Sequence, residues 1–282
     1  MSNYSLALFA ILTVTVISLW LPKLYLFTSL LSVIAVGLSY GVMDGWAVLW
    51  LGLLAISCGL HVNANGGKRT VFLGIAVALA FALGLHLLPG FRSVELVGPT
   101  VLSPGAVPFS LQLSMDKVMA GILLAAIVWK RYITTREEFV IAWKASWPII
   151  AINIVVLVAL SVAIGYLNFA PKFTALFWIW AAHNLLFTCL GEEIFFRGLL
   201  QTELTRRLYR VENGIWIALG ISSLLFGAVH FAGGWQYVLL ATVAGVGYGY
   251  VFIRTGRIEM AMLAHFAMNA VHFLLFAYPR LA

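Results

Sequence analysis

Eight long stretches of this chain carry no charged side chain: residues 5–21, 24–43, 45–67, 70–91, 145–171, 173–191, 213–253 and 260–279. A helix rises about 1.5 Å per residue, so about 20 apolar residues cross the roughly 30 Å hydrocarbon core of a bilayer. In hydrocarbon every backbone N–H and C=O must find a partner inside the protein, which leaves only helices or a closed barrel. The runs are continuously apolar, without the two-residue alternation that a barrel strand shows. The run 213–253 is too long for one span and is broken at Gly233-Gly234, so it reads as two helices joined by a tight turn. Residues 118–129 form a shorter apolar segment after a loop at 92–117. The expected fold is all-α, a polytopic transmembrane helical bundle of about ten spans, or nine if 118–129 does not cross.

The remaining composition supports that class. Apolar residues make up 63% of the chain and charged ones 10%, where a soluble domain carries about a quarter. So few charges cannot cover a soluble surface, which excludes a soluble enzyme and a disordered chain. Cys58 and Cys189 lie in separate apolar stretches, so neither a disulfide scaffold nor a CxxC metal site is expected. Met1–Tyr4 has no basic residue and no small-residue cleavage site follows, so the first segment does not read as a signal peptide. Lys and Arg at span ends set the orientation. With ten crossings, the loops on one side, including 130–144, 206–210 and 254–257, hold 12 of the 17 basic residues; Arg92, Lys117, Lys172 and Arg280 lie on the other, and Arg197 lies inside a helix. The basic side is expected to face the cytoplasm. The net charge of +7 then reflects basic loops against an anionic leaflet and calls for no nucleic acid.

Ionisable residues inside spans are costly, so each raises a functional hypothesis. His61 and His86 lie near segment ends and are expected to reach the interface. His183, Asn184 and Asn153 are expected to make helix-to-helix hydrogen bonds. The sequence Gly191-Glu192-Glu193-Ile194-Phe195-Phe196-Arg197 resists such readings, because two carboxylates and an arginine follow an apolar run with no loop signal. Glu193 and Arg197 are four apart and can pair on one helix face, while Glu192 points about 100° away. Phe226 and His230 share a face of the next helix by the same spacing, as do His265 and Asn269 in the last. Counted from the basic loops, Glu192 lies about 21 Å deep, His230 about 24 Å, and His265 and Asn269 about 12 and 18 Å. Tilt can bring all four to one level.

At these residues the chain resembles the CAAX-protease and bacteriocin-processing (CPBP, or Abi) family of glutamic-type intramembrane proteases. Three motifs occur in order: EExxxR as Glu192-Glu193…Arg197, FxxxH as Phe226…His230, and HxxxN as His265…Asn269. The resemblance covers about 145–278 and implies a protease domain at 118–282, with 1–117 a transmembrane region of unassigned role. It implies a metal-independent endopeptidase without a cofactor, acting on a membrane-associated protein or peptide. Glu192 and His230 would activate the attacking water, and His265 and Asn269 would hold the oxyanion. Glu193 and Arg197 would orient the site, with Phe226 beside it. Such a protein is an integral multi-pass protein of the plasma (inner) membrane, its site reached from the cytoplasm or the bilayer. Gly245, Gly247 and Gly249 are expected to let neighbouring helices approach closely.

Three other readings use the same residues or nearby ones. One Glu and two His can make a catalytic zinc site, although the chain lacks HExxH and Glu193 is committed to Arg197. Gly37-Leu38-Ser39-Tyr40-Gly41 fits GxSxG, but that motif works on a strand-to-helix turn, whereas here it lies in an apolar helix. Buried Glu, His and Arg also build proton relays, so a transporter or a non-catalytic scaffold is a further alternative.

Overall fold

The computed structural model describes residues 3–280, which form ten helices and two short strands and are mostly helical. The helices are α1 (Asn3–Ile17), α2 (Lys23–Ser39), α3 (Gly45–Asn63), α4 (Gly66–Gly84), α5 (Met115–Val128), α6 (Arg136–Ala163), α7 (176–207), α8 (Gly214–Ala228), α9 (Trp235–Thr255) and α10 (Ile258–Leu275). Contacts divide the chain into two compact units. The first holds residues up to 99 with 110–130 and 186–192, and the second holds 100–109, 131–185 and the chain from 193 onward.

Five helices are long and apolar enough to cross a membrane: Gly45–Asn63, Gly66–Gly84, Arg136–Ala163, Trp235–Thr255 and Ile258–Leu275. Three shorter apolar helices lie at Tyr4–Trp20, Lys23–Ser39 and Gly214–Ala228. Burial in α6 follows the membrane pattern: Ile152 and Val155 are 64% and 67% exposed, while Ser146 and Ser161 are buried. Apolar side chains outward and polar ones inward suit a helix bathed in lipid, where interhelical polar contacts replace the hydrophobic drive. This is an integral membrane protein of the all-α class, as the charge-free runs require.

The loop expected at 92–117 contains a two-stranded sheet, β1 (Val94–Thr100) and β2 (Phe109–Leu113). Its cause is legible in Phe109-Ser110-Leu111-Gln112-Leu113, which alternates apolar and polar and is buried and exposed in the same rhythm. The short apolar segment that follows is α5, and within the first unit most of its side chains are buried, Met115, Met119 and Ile122 among them. At about 1.5 Å per residue its 14 residues span only about 21 Å.

In the second unit α9 packs against α6, α8 and α10. The run 213–253 does break at Gly233-Gly234, where Gly234 adopts φ 88°, a conformation that side-chain-bearing residues rarely take. A Cβ on Gly245 would stand 3.3 Å from both Phe226 and Arg197, and one on Gly247 would overlap the Asn153 side chain of α6. The glycines of α9 thus allow close helix crossings, as their spacing predicts. Local caps fix the ends: Thr135 Oγ1 accepts from the Glu138 N–H at 3.2 Å at the start of α6. Asp44 Oδ1 accepts from Trp46 N–H at 2.8 Å at the start of α3.

Candidate active site

The central element is α7, which is not a regular helix. It is α-helical at Leu176–His183, π-helical at Asn184–Cys189, α-helical at Leu190–Glu193, π-helical at Ile194–Gln201 and α-helical again at Thr202–Arg207. Wide π turns are rare and concentrate at functional sites. Here two of them bracket Glu192 and Glu193, so the register of the side chains on either side is shifted from that of an ideal α-helix.

In the second unit Glu193 and Arg197 are completely buried. Arg197 Nε lies 3.2 Å from Glu193 Oε2, which is the ion pair their spacing predicts. Arg197 Nη2 also donates to Gly245 O at 2.8 Å. Three aromatic rings enclose the guanidinium, with Phe226 at 4.7 Å, Tyr248 at 5.7 Å and Phe196 at 5.8 Å from its carbon. Guanidinium is weakly hydrated and planar, so it tolerates such a site better than an ammonium would. Removing either partner of a buried pair leaves an uncompensated charge, at a cost of about 3–5 kcal/mol.

Glu193 has a second partner. Its Oε1 accepts from His265 Nδ1 at 2.9 Å. The His265 ring stacks on Tyr248 (centroids 4.7 Å, 15°) and meets Phe226 edge-on at 5.7 Å. His230 Nδ1 donates to Phe226 O at 2.7 Å, since a carbonyl can only accept. Both imidazoles are thus tethered through Nδ1. Asn269 Nδ2 donates to Asn184 Oδ1 at 3.1 Å, and its amide keeps a second N–H. A cavity of about 80 Å³ is lined by Phe226, His230, Tyr237, Tyr248, His265 and Asn269, among others. One water needs about 10–15 Å³ on this measure, so the cavity has room for several.

Glu192 belongs to the first unit, where its Oε1 accepts from Lys117 Nζ at 2.8 Å. The second unit therefore gathers Glu193, Arg197, Phe226, His230, His265 and Asn269 around one cavity and its wall. Among the described residues, no three His, Cys, Asp or Glu side chains are arranged to hold a metal ion.

His61, in the last turn of α3, is 2% exposed and its Nδ1 donates to Arg69 O at 3.1 Å. His86 is half-exposed but is held by Asp116 at 2.7 Å. Asn184 makes the helix-to-helix bond expected of it, yet its partner is a motif residue. Sequence reasoning missed Tyr248 and Lys117. The only sign of Tyr248 was its place among the α9 glycines, and Lys117 was counted as a loop charge.

The fold and the site together define a polytopic helical membrane protein with a buried acid–imidazole centre. Residues 172–271 match the family model of the type II CAAX prenyl endopeptidase Rce1-like proteins. The segment contains every motif position from Glu192 to Asn269. The uncharacterized protein YpbD of Bacillus subtilis (strain 168) is 33% identical over 88 residues, which cover 30% of this chain and 40% of that protein. The chain therefore matches less than half the length of this relative. No solved structure matches the chain.

Proposed function

We propose that this protein is a CAAX-type intramembrane endopeptidase that hydrolyses a peptide bond of a membrane-associated or lipidated protein or peptide. The observation that carries this reading is the pair of histidines held through Nδ1 at the wall of one cavity, within the family-matched segment. In this reading Glu192 removes a proton from the attacking water while His230 Nε2 shares it. The water oxygen then bonds to the carbonyl carbon, and the carbonyl oxygen becomes an oxyanion. The second N–H of Asn269 and an N–H at His265 Nε2 stabilise that oxyanion. Because His265 Nδ1 already donates to Glu193, a donor at Nε2 requires the imidazolium form, which the developing oxyanion would pair with. Collapse of the intermediate breaks the C–N bond, and the proton passes to the leaving amine. No metal enters these steps.

The same reading assigns the protease domain to 118–282 and adds α1, α2, α5, α7 and α8 to the five long spans, for ten, or nine if α5 does not cross. It places the basic loops in the cytoplasm and the protein in the plasma (inner) membrane. The test is cleavage of a library of lipidated peptides by the purified protein in liposomes. Glu192→Gln and His230→Ala should each lower the rate by about 100-fold or more, the usual worth of a general base. Wild-type cleavage by both variants would show the proposed chemistry to be wrong.

A further inference from the structure

The proposed base has a partner that comes from outside the family-matched segment. In the first unit α5 crosses α7 at a pair of glycines. A Cβ on Gly121 would stand 2.8 Å from Gly191 Cα, so the two backbones touch. Lys117 lies one turn before Gly121 on the same face of α5, and Gly191 immediately precedes Glu192. The crossing brings Lys117 Nζ to 2.8 Å from Glu192 Oε1, with the two side chains 35% and 15% exposed. Lys117 is anchored in turn, because its backbone N–H donates to Asp116 Oδ1 at 2.8 Å. Asp116 is 4% exposed and its Oδ2 is held by His86 Nδ1 at 2.7 Å. His86 takes φ 59°, a left-handed conformation that is costly for a residue with a Cβ and is sustained by its surroundings.

We propose that Lys117 is a positioning residue for Glu192: its ammonium, bonded to Oε1, fixes the orientation of the carboxylate that acts on the attacking water. This rests on the reading of Glu192 as the base. A free carboxylate rotates among several staggered rotamers. A charge-assisted bond to one oxygen fixes the plane of the group, and misplacement by about 1 Å costs a catalytic group about 100-fold. Glu192 is then held by a helix that the protease motifs do not contain.

The experiment uses the full-length protein in liposomes and, as probe, a quenched fluorescent peptide ending in a prenylated Cys-aliphatic-aliphatic-X sequence. Lys117→Met should lower kcat by about 10- to 100-fold with KM changed less than about 2-fold. Lys117→Arg, which keeps the cation, should recover most of the rate. The losses in Lys117→Met and Glu192→Gln should not add in the double variant, because one acts through the other. A spectroscopic arm needs no substrate: the carboxylate infrared band that disappears in Glu192→Gln should move in Lys117→Met and return in Lys117→Arg. Wild-type or higher kcat in Lys117→Met, fully additive losses, or an unmoved band would each overturn the proposal. A fully active Glu192→Gln would instead overturn the base assignment on which it rests.

Discussion

At the scale of single residues, the site is governed by which nitrogen or oxygen of each side chain is already taken. His230 and His265 have committed Nδ1, one to a backbone carbonyl and one to a carboxylate. Asn269 has committed one N–H to Asn184. In the proposed reaction that last bond orients the Asn269 amide, since an amide that rotates freely presents its donor in the wrong direction for part of the time. A neutral hydrogen bond of this kind is worth about 0.5–1.5 kcal/mol, or up to about 10-fold in rate. Asn184→Ala is therefore expected to lower kcat by up to about 10-fold with little change in KM. Steady-state kinetics on the peptide probe checks this. If kcat is unchanged, Asn269 is oriented by something other than Asn184.

At the scale of elements, the glycines of α8 offer an internal control. A Cβ on Gly227 would lie 2.7 Å from Val238 O and would overlap Thr242 Oγ1, so α8 could not hold its crossing with α9. A Cβ on Gly220 of the same helix would meet nothing within 4 Å. Gly227→Ala should destabilise by about 1–3 kcal/mol, the usual cost of overpacking. Gly220→Ala should leave the midpoint unchanged or raise it, since alanine is the better helix former by about 1 kcal/mol. Thermal unfolding midpoints in detergent, measured side by side, test both. The motif spacings were legible because they ride on helices of known period: Phe226 and His230 share a face, and Glu193 pairs with Arg197. The π turns of α7 were not legible. A π turn needs no special residue; it is sustained by tertiary partners such as Gly245 O and Gly249 O, which hold Arg197 and Gln201 in place. The β1–β2 hairpin was written in the alternation at 109–113 but lay inside a stretch read as loop. Lys117 had no pattern at all, since one lysine at the head of an apolar segment is the commonest sight at a membrane boundary.

At the scale of the whole molecule, the second unit shows two chemically distinct ends. At one, Arg257 Nη2 donates to Glu138 Oε1 at 2.9 Å and the Ile133 N–H donates to Glu259 Oε1 at 2.6 Å. That end starts α6 and α10, finishes α9, and carries Arg131, Arg136, Arg254 and Arg257. At the other end, Gln236 Nε2 donates to Ile164 O at 3.2 Å and the Ala170 N–H donates to Leu275 O at 2.9 Å, with Lys172 and Arg280 its only basic residues among those described. In the proposed orientation the excess of Lys and Arg puts the first end in the cytoplasm. The cavity is lined by Ser161, Tyr166, His230, Tyr237, Asn269 and His272, which belong to the far halves of α6 and α10, the end of α8 and the start of α9. It therefore sits toward the end of the second unit away from the basic loops. Cysteine labelling tests the orientation cleanly, because Cys58 and Cys189 are fully buried and give little background. Arg254→Cys should react with an impermeant maleimide only in inside-out vesicles. Phe173→Cys, at a position 67% exposed, should react only in right-side-out vesicles. The reverse pattern would place the basic end outside and the cavity toward the cytoplasm.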